Sequence, residues 1–297
     1  GMLAYSSSSL ATLSTAASYT AVHLTVGDAV PFAAPLAPNF VGFSYETYGC
    51  RVMLSRDGAR SLAGSQPRSS LLRLFQFLSN VSGTPSVQPI NLRLGGNSAD
   101  QSCYEYHQNP PVQQQQQQQQ HPRNQQPATG SRTSNCTLNI TLADLQMYQA
   151  FADSAAENFS VHVDYVLDMN LAVRNPSYAV TELQAAQQMG LMDYVRGVEI
   201  GNEVDNFIAT QAGDGLDFYE EYVSEFRRYL AALNASGVLP SAESAQEQGG
   251  LIQGAVYADV FRPDYMLHLG AYVEEFQHNL ASISLHNYPT STCAILS

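Results

Sequence analysis

The sequence predicts an α/β fold, an incomplete (β/α)8 TIM barrel of about six strand–helix units. Short apolar runs alternate strictly with amphipathic helical stretches, which is typical of a parallel sheet. Polar residues follow the strands directly, at the end where barrels carry their functional side chains. No Gly-x-Gly-x-x-Gly motif follows the first strand, so the main sign of a doubly wound nucleotide-binding sheet is missing.

The six predicted strands are short apolar runs that end in glycine or polar residues. The second run ends in Gly95-Gly96, and the third alternates, so that Val163 and Tyr165 share one face. In chain order, the strands cover residues 40–45, 90–94, 161–167, 195–200, 251–258 and 283–286.

The predicted helices lie between these strands and repeat apolar residues at spacings of three and four. Thr181 is the expected N-cap of the third helix, because a threonine hydroxyl can accept a hydrogen bond from the first turn. The helices cover residues 71–78, 142–158, 181–194, 214–233 and 265–277.

Two segments interrupt this pattern. Residues 1–38 precede the barrel, and 19–26 within them alternate like a half-buried antiparallel strand, which we assign to a β-sandwich whose other strands lie beyond residue 297. Residues 39–297 form the partial barrel, with strands seven and eight also expected beyond residue 297. The insertion at 105–132 contains eight consecutive glutamines and is predicted to be a disordered surface loop.

Composition removes several classes of function. The formal net charge is −13, the pI is near 4.8 and there is no lysine. These values argue against nucleic acid and anionic membranes as partners, and the missing lysine excludes Schiff-base chemistry. No apolar run approaches the roughly 20 residues of a membrane span. The seven histidines show no metal-binding spacing, so neither a metal nor another cofactor is expected. The oligomeric state stays open.

Other features favour a secreted glycoprotein. The four cysteines allow three pairings, and we expect Cys103 and Cys136, which flank the insertion, to form a disulfide worth about 3–4 kcal/mol. Two unpaired thiols are the alternative. Five Asn-x-Ser/Thr sequons are candidate glycosylation sites, at Asn80, Asn135, Asn139, Asn158 and Asn234.

The sharpest chemical signal is Asn202-Glu203 at the end of the fourth strand. In retaining glycosidases, a glutamate at this place protonates the glycosidic oxygen, and the preceding asparagine donates a hydrogen bond to the sugar 2-hydroxyl. Strand parity would turn the two side chains apart, so we expect a kink at Gly201. Glu199 lies deeper on the strand and is expected to be structural, with Arg93 as its partner.

A retaining mechanism also needs a carboxylate nucleophile about 5–5.5 Å from the acid. Barrel geometry places the nucleophile on strand seven, beyond residue 297. Asp168 and Asp205 are weaker stand-ins, because neither lies on the strand opposite Glu203.

Four motifs carry a resemblance to a known family. They are Phe43-Ser44-Tyr45-Glu46, Leu92-Arg93-Leu94-Gly95-Gly96-Asn97-Ser98-Ala99-Asp100, Glu199-Ile200-Gly201-Asn202-Glu203-Val204-Asp205 and His286-Asn287-Tyr288-Pro289. Together they resemble glycoside hydrolase family 79, the β-glucuronidases and heparanase relatives, in clan A of the retaining (β/α)8 glycosidases.

The resemblance implies two-step hydrolysis of β-linked glucuronides, with a glucuronate-terminated glycan as partner. It also implies a C-terminal β-sandwich that borrows an N-terminal strand. The implied roles are Glu203 as acid/base, Asn202 at the 2-hydroxyl, Glu46 and Asp100 at other sugar hydroxyls, Tyr288 on the nucleophile, and Arg93 keeping the nucleophile ionised.

Two departures from the family qualify this prediction. The strand-seven nucleophile is not in the sequence, and the family's Glu-Pro is Glu203-Val204 here. We therefore expect the 297-residue chain alone to be inactive. A non-catalytic carbohydrate-binding pseudoenzyme and another clan A β-glycosidase, such as a β-glucosidase or an arabinofuranosidase, stay open as alternatives.

Overall fold

The computed structural model describes residues 42–55, 66–81, 89–104, 136–207, 216–240, 250–257 and 267–286. Several predictions concern residues outside these ranges: the N-terminal strand at 19–26, the insertion at 105–132, and Tyr288. The division into a segment 1–38 and a barrel 39–297 also stays a prediction.

Within the described ranges, eight strands form two sheets, and neighbouring strands in each sheet are parallel. In chain order they are β1 Gly42–Glu46, β2 Ile90–Gly95, β3 Ser102–Tyr104, β4 Leu138–Ile140, β5 Val163–Met169, β6 Val195–Ile200, β7 Ile252–Tyr257 and β8 Leu280–Leu285. The main sheet has the order β1-β2-β5-β6-β7-β8, and β3 pairs with β4 beside it. All five pairings in the main sheet are parallel. This α/β half-barrel is consistent with the predicted incomplete TIM barrel.

Helices connect the strands of the main sheet. Their bounds are α1 Cys50–Leu54, α2 Ser69–Val81, α3 Leu142–Phe159, α4 Pro176–Gln188, α5 Val204–Phe207, α6 Leu216–Ser236 and α7 Leu269–Phe276. All five predicted helices are therefore present, with shifted ends. No helix within the described ranges is long and apolar enough to cross a membrane.

The prediction that Thr181 caps the third of these helices is wrong. Helix α4 begins five residues earlier, where the Asn175 side chain accepts a hydrogen bond from the Ser177 N–H at 3.2 Å and Pro176 occupies the first turn. Asparagine followed by proline is a stronger start signal than threonine, because proline needs no backbone N–H partner there. Thr181 lies inside the helix, and its hydroxyl donates to the Ser177 carbonyl oxygen at 2.8 Å.

The apolar core lies between the main sheet and its helices. Leu92, Tyr165 and Val198 point to this side of their strands and are completely buried. Phe75 of α2 and Phe151 of α3 pack edge to face, with ring centroids 6.0 Å apart. These contacts fix the helix-facing side of each strand, so residues of opposite parity must face the barrel interior.

A disulfide joins Cys103 on β3 to Cys136 just before β4, the predicted pair. Their Cα atoms are 5.6 Å apart, across a sequence separation of 33 residues. The Asn170 side chain, which follows β5, donates a hydrogen bond to the Ser102 carbonyl oxygen at 2.9 Å. The small sheet is therefore tied to the carboxyl end of the main sheet.

The candidate glycosylation sites differ in exposure. Asn158 on α3 and Asn234 on α6 are exposed, whereas Asn139 on β4 is half-buried. Asn80 lies in α2, and Asn135 lies outside the described residues. Glycosylation and secretion stay predictions.

We expect Glu182→Gln to remove part of the pH dependence of stability. Glu182 on α4 is 6% exposed, and burial, with a further contribution from Asp144, raises its pKa to about 8. A folded state that keeps this proton loses stability as pH rises from about 4.5 to about 8, by at most about 1.4 kcal/mol per pH unit. Urea unfolding should show that the free energy of unfolding of the variant, relative to that of the wild type, is higher at pH 8 than at pH 5. An equal offset at both pH values would contradict this; Glu220→Gln, at an exposed position, is the control.

Candidate active site

A cavity of about 350 Å³ opens at the carboxyl end of the main sheet. This volume is near the lower end of the range of about 300–1,000 Å³ for small-ligand sites. The residues that line it come from the ends of β1 and β2 and from the segments that follow β6 and β8. They are Ser44, Tyr45, Glu46, Arg93, Gly96, Asn97, Asn202, Glu203 and His286.

A sharp turn after β6 brings Asn202 and Glu203 into the cavity together. Gly201 has φ +84° and Glu203 has φ +46°, so the chain leaves the strand conformation just after Ile200. The Gly201 N–H donates to the Met169 carbonyl oxygen at 3.0 Å, which anchors the turn to β5. The kink expected at Gly201 is present. Because of it, Asn202 and Glu203 do not follow the strand alternation that would point their side chains to opposite faces of the sheet.

Glu203 is almost completely buried and has a histidine beside it. It is 8% exposed, and its Oε1 lies 2.8 Å from Nδ1 of His286, the residue directly after β8. This contact holds the Glu203 carboxyl at the cavity, where a carboxyl can act as a proton donor to a bound ligand.

The orientation of the Asn202 amide is set by two neighbours. Its Oδ1 accepts a hydrogen bond from Nη2 of Arg93 at 2.9 Å, and its Nδ2 donates to Oδ1 of Asn97 at 3.2 Å. A guanidinium can only donate, so the amide oxygen must face Arg93. The amide nitrogen also donates a hydrogen bond to the Asp100 carboxyl, so it faces away from Arg93.

Glu46, at the end of β1, lines the cavity and also holds the loop after β2. Its Oε2 accepts hydrogen bonds from the Ser98 N–H at 2.8 Å and from the Ser98 hydroxyl at 2.6 Å. Gly96 has φ +82°, and a Cβ there would lie 2.7 Å from the carboxylate. Glycine is therefore required for the carboxylate to rest against this loop.

Asp100, predicted to bind sugar hydroxyls, does not line the cavity. It lies behind Asn202, whose backbone N–H donates to Oδ1 of Asp100 at 3.5 Å. Burial raises the pKa of Asp100 to about 8. In this position the carboxyl supports the turn that carries Asn202.

A row of polar side chains crosses the inner face of the main sheet just beneath the cavity, one from each strand. We call it the polar belt; its members are Ser44, Arg93, Asp168, Glu199, Gln253 and Ser282. Arg93 donates to Oγ of Ser44 at 3.0 Å and, through Nε, to Oε2 of Glu199 at 2.9 Å. The Gln253 amide donates to Glu199, and the Ser282 hydroxyl donates to Oε1 of Gln253 at 3.2 Å. The predicted pair of Glu199 with Arg93 is thus present.

The two weaker nucleophile candidates lie away from the cavity. Asp168 belongs to the polar belt, and its side chain has no exposure. Asp205 lies in α5 and is 5% exposed. Neither lines the cavity, so neither can reach a sugar bound there.

Sequence reasoning missed Gln253 and Ser282. Both are polar residues inside otherwise apolar strands, at the parity that faces the barrel interior. Their polarity at inward positions was the signal available in the sequence, but finding it requires the register between β6, β7 and β8.

The fold and the cavity define the class of the protein. A parallel sheet with its polar cavity at the carboxyl ends of the strands is typical of barrel-type α/β proteins that bind small molecules.

Comparison with known proteins agrees with this class. A similar solved structure is a 4-O-α-L-rhamnosyl-β-D-glucuronidase from Fusarium oxysporum 12S in complex with Rha-GlcA, with a TM-score of 0.51 and 18% sequence identity. The match covers 87% of this chain and 46% of the other, so the chain spans about half the length of that protein. At this identity the similarity establishes a shared fold. No family model and no curated protein sequence matches the chain.

Proposed function

We propose that the chain carries the acid/base half of a retaining glycoside hydrolase that acts on β-linked glucuronides. The observation that carries this proposal is the placement of Asn202 and Glu203 side by side in one cavity, with His286 in hydrogen-bonding contact with Glu203. The glucuronidase of similar fold supports the choice of substrate.

The proposed reaction has two steps. Glu203 donates its proton to the glycosidic oxygen while a carboxylate nucleophile attacks the anomeric carbon, so the aglycone leaves as an alcohol and a glycosyl-enzyme forms. Glu203, now ionised, then takes a proton from water, which displaces the enzyme carboxylate and releases the sugar. We expect the nucleophile on strand seven, beyond residue 297.

The other residues receive the roles implied by the family resemblance. Asn202 donates to the sugar 2-hydroxyl, an interaction that strengthens in the transition state. Glu46 binds sugar hydroxyls at the rim of the cavity. Tyr288 is assigned to the nucleophile and lies outside the described residues. Asp100 reaches the sugar only if the turn at Asn202 moves.

A β-glycosidase for neutral sugars is the second candidate. Among the described residues that line the cavity, the guanidinium is that of Arg93, which is already paired with Glu199. A neutral sugar needs no cationic partner, whereas a glucuronate carboxylate does.

A panel of 4-nitrophenyl glycosides tests the proposal on the full protein that contains this chain. We expect β-glucuronide to be hydrolysed fastest. If glucuronide is the poorest substrate, the proposed specificity is wrong, and a preference for β-glucoside would select the second candidate. Binding of glycans without any hydrolysis would favour the pseudoenzyme.

A further inference from the structure

The polar belt departs from the usual interior of a parallel barrel, which is filled by layers of bulky apolar side chains. Here the layer directly beneath the cavity is hydrogen-bonded from β1 to β8. Buried polar networks are costly unless every member is satisfied. Glu199 and Gln253 do not line the cavity, so the cost of burying them is not offset by contact with a ligand.

Arg93 is the member of the polar belt that contacts both the buried Glu199 and Asn202. Its Nε and Nη2 both bind the Glu199 carboxylate, and Nη2 also donates to Oδ1 of Asn202 at 2.9 Å. Glu199 has no side-chain exposure and receives a further hydrogen bond from Gln253. The carboxylate therefore cannot rotate, and it holds the guanidinium in one plane.

The charge of Arg93 is compensated inside the belt. Glu199 supplies one negative charge. Asp168 lies beside it with no exposure, and its Oδ1 has no hydrogen-bond partner among the described residues. Burial, followed by the charge of Glu199, raises the pKa of Asp168 well above its usual range. Arg93 is thus paired with the buried Glu199 carboxylate and acts as a hydrogen-bond donor of fixed direction.

We infer that Arg93 is a positioning residue for Asn202, and that Glu199 and Gln253 hold Arg93 in place. This inference rests on the proposed function and replaces the role of Arg93 implied by the family resemblance. A fixed guanidinium keeps the amide oxygen of Asn202 turned toward Arg93, so the amide nitrogen is the group presented to the sugar 2-hydroxyl. Without Arg93, the amide can flip and present its oxygen, which forfeits the donor.

The test is Arg93→Lys, which keeps the charge but loses the fork that serves Glu199 and Asn202 together. Kinetics are measured with 4-nitrophenyl β-D-glucuronide and with its 2-deoxy analogue, which lacks the hydroxyl that Asn202 binds. We expect kcat/KM to fall at least about tenfold on the glucuronide and by less than about threefold on the 2-deoxy analogue. Arg196→Lys is the matched control, because Arg196 is an exposed partner of Asp164 on the same sheet and should change neither value.

Equal falls in kcat/KM on the two substrates would overturn the inference, because they would mean that Arg93 acts on the nucleophile or on folding. They would leave the proposed function intact. If Arg93→Lys does not fold, Gln253→Leu is used. It leaves the charge pair in place, and a smaller loss confined to the glucuronide supports the inference. If the wild type hydrolyses no β-glycoside, the proposed function fails and the inference fails with it.

Discussion

The Glu203→Gln substitution is expected to lower kcat for an alkyl β-glycoside by at least about 100-fold. The glutamine amide keeps the shape of the side chain but cannot protonate an alkoxide leaving group. The effect is large because Glu203 is 8% exposed, so bulk water cannot easily supply the proton instead. Steady-state hydrolysis of methyl β-glucuronide by the full protein is the measurement.

The leaving group and an added nucleophile sharpen this test. A 2,4-dinitrophenolate leaves without protonation, so the first step should survive and a burst of product should appear. Azide needs no general base, and it should restore turnover by attacking the glycosyl-enzyme. Glu220→Gln, exposed on α6, should leave all rates unchanged. Ordinary turnover of the alkyl glycoside by Glu203→Gln would show that another group is the acid.

Gly201→Ala is expected to destabilise the protein by about 2–4 kcal/mol. Gly201 has φ +84°, and a Cβ there would lie 2.8 Å from Cβ of Leu171 and 2.9 Å from Cγ1 of Val204. Neither atom is the end of a flexible side chain, so the backbone of the turn has to move. Activity should fall with stability, because the same turn carries Asn202 and Glu203. Urea unfolding monitored by circular dichroism gives the change in free energy.

Gly237→Ala separates strain from close packing. Gly237 also has positive φ, +72°, but a Cβ there meets no atom within 4 Å. In this variant the free energy of unfolding should fall only by the cost of the left-handed conformation, about 1–2 kcal/mol. Its activity should stay complete. An equal fall in the free energy of unfolding in Gly201→Ala and Gly237→Ala would mean that crowding against Leu171 and Val204 does not contribute to the destabilisation.

The sequence was sufficient to predict the main sheet, because buried parallel strands are apolar runs of a length that helices do not match. The runs at 90–94 and 195–200 became β2 and β6 almost unchanged. Asn202-Glu203 could also be located, because a polar pair directly after such a run must lie at the carboxyl end of the sheet. Its entry into the cavity depended on Gly201, the residue type that most readily allows the turn.

Periodicity could not distinguish Glu46 from Asp100. Both are acidic residues near the end of a strand, but only Glu46 lines the cavity. The difference arises from the turn at Gly96, which brings the loop after β2 against Glu46 and places Asp100 behind Asn202. Such loop geometry depends on contacts between distant segments, which local spacing does not encode. The polar belt was incompletely predicted for the same reason, because it needs the register of six strands.

The disulfide between Cys103 and Cys136 bears on how variation in the length of the glutamine run should affect protein stability. It fixes the two ends of the intervening chain with Cα atoms 5.6 Å apart, and that chain contains the run of eight glutamines. Closing a loop costs free energy that grows only logarithmically with its length. Replication slippage in the glutamine codons should therefore be nearly neutral, and we expect alleles with different run lengths to encode proteins that melt at the same temperature.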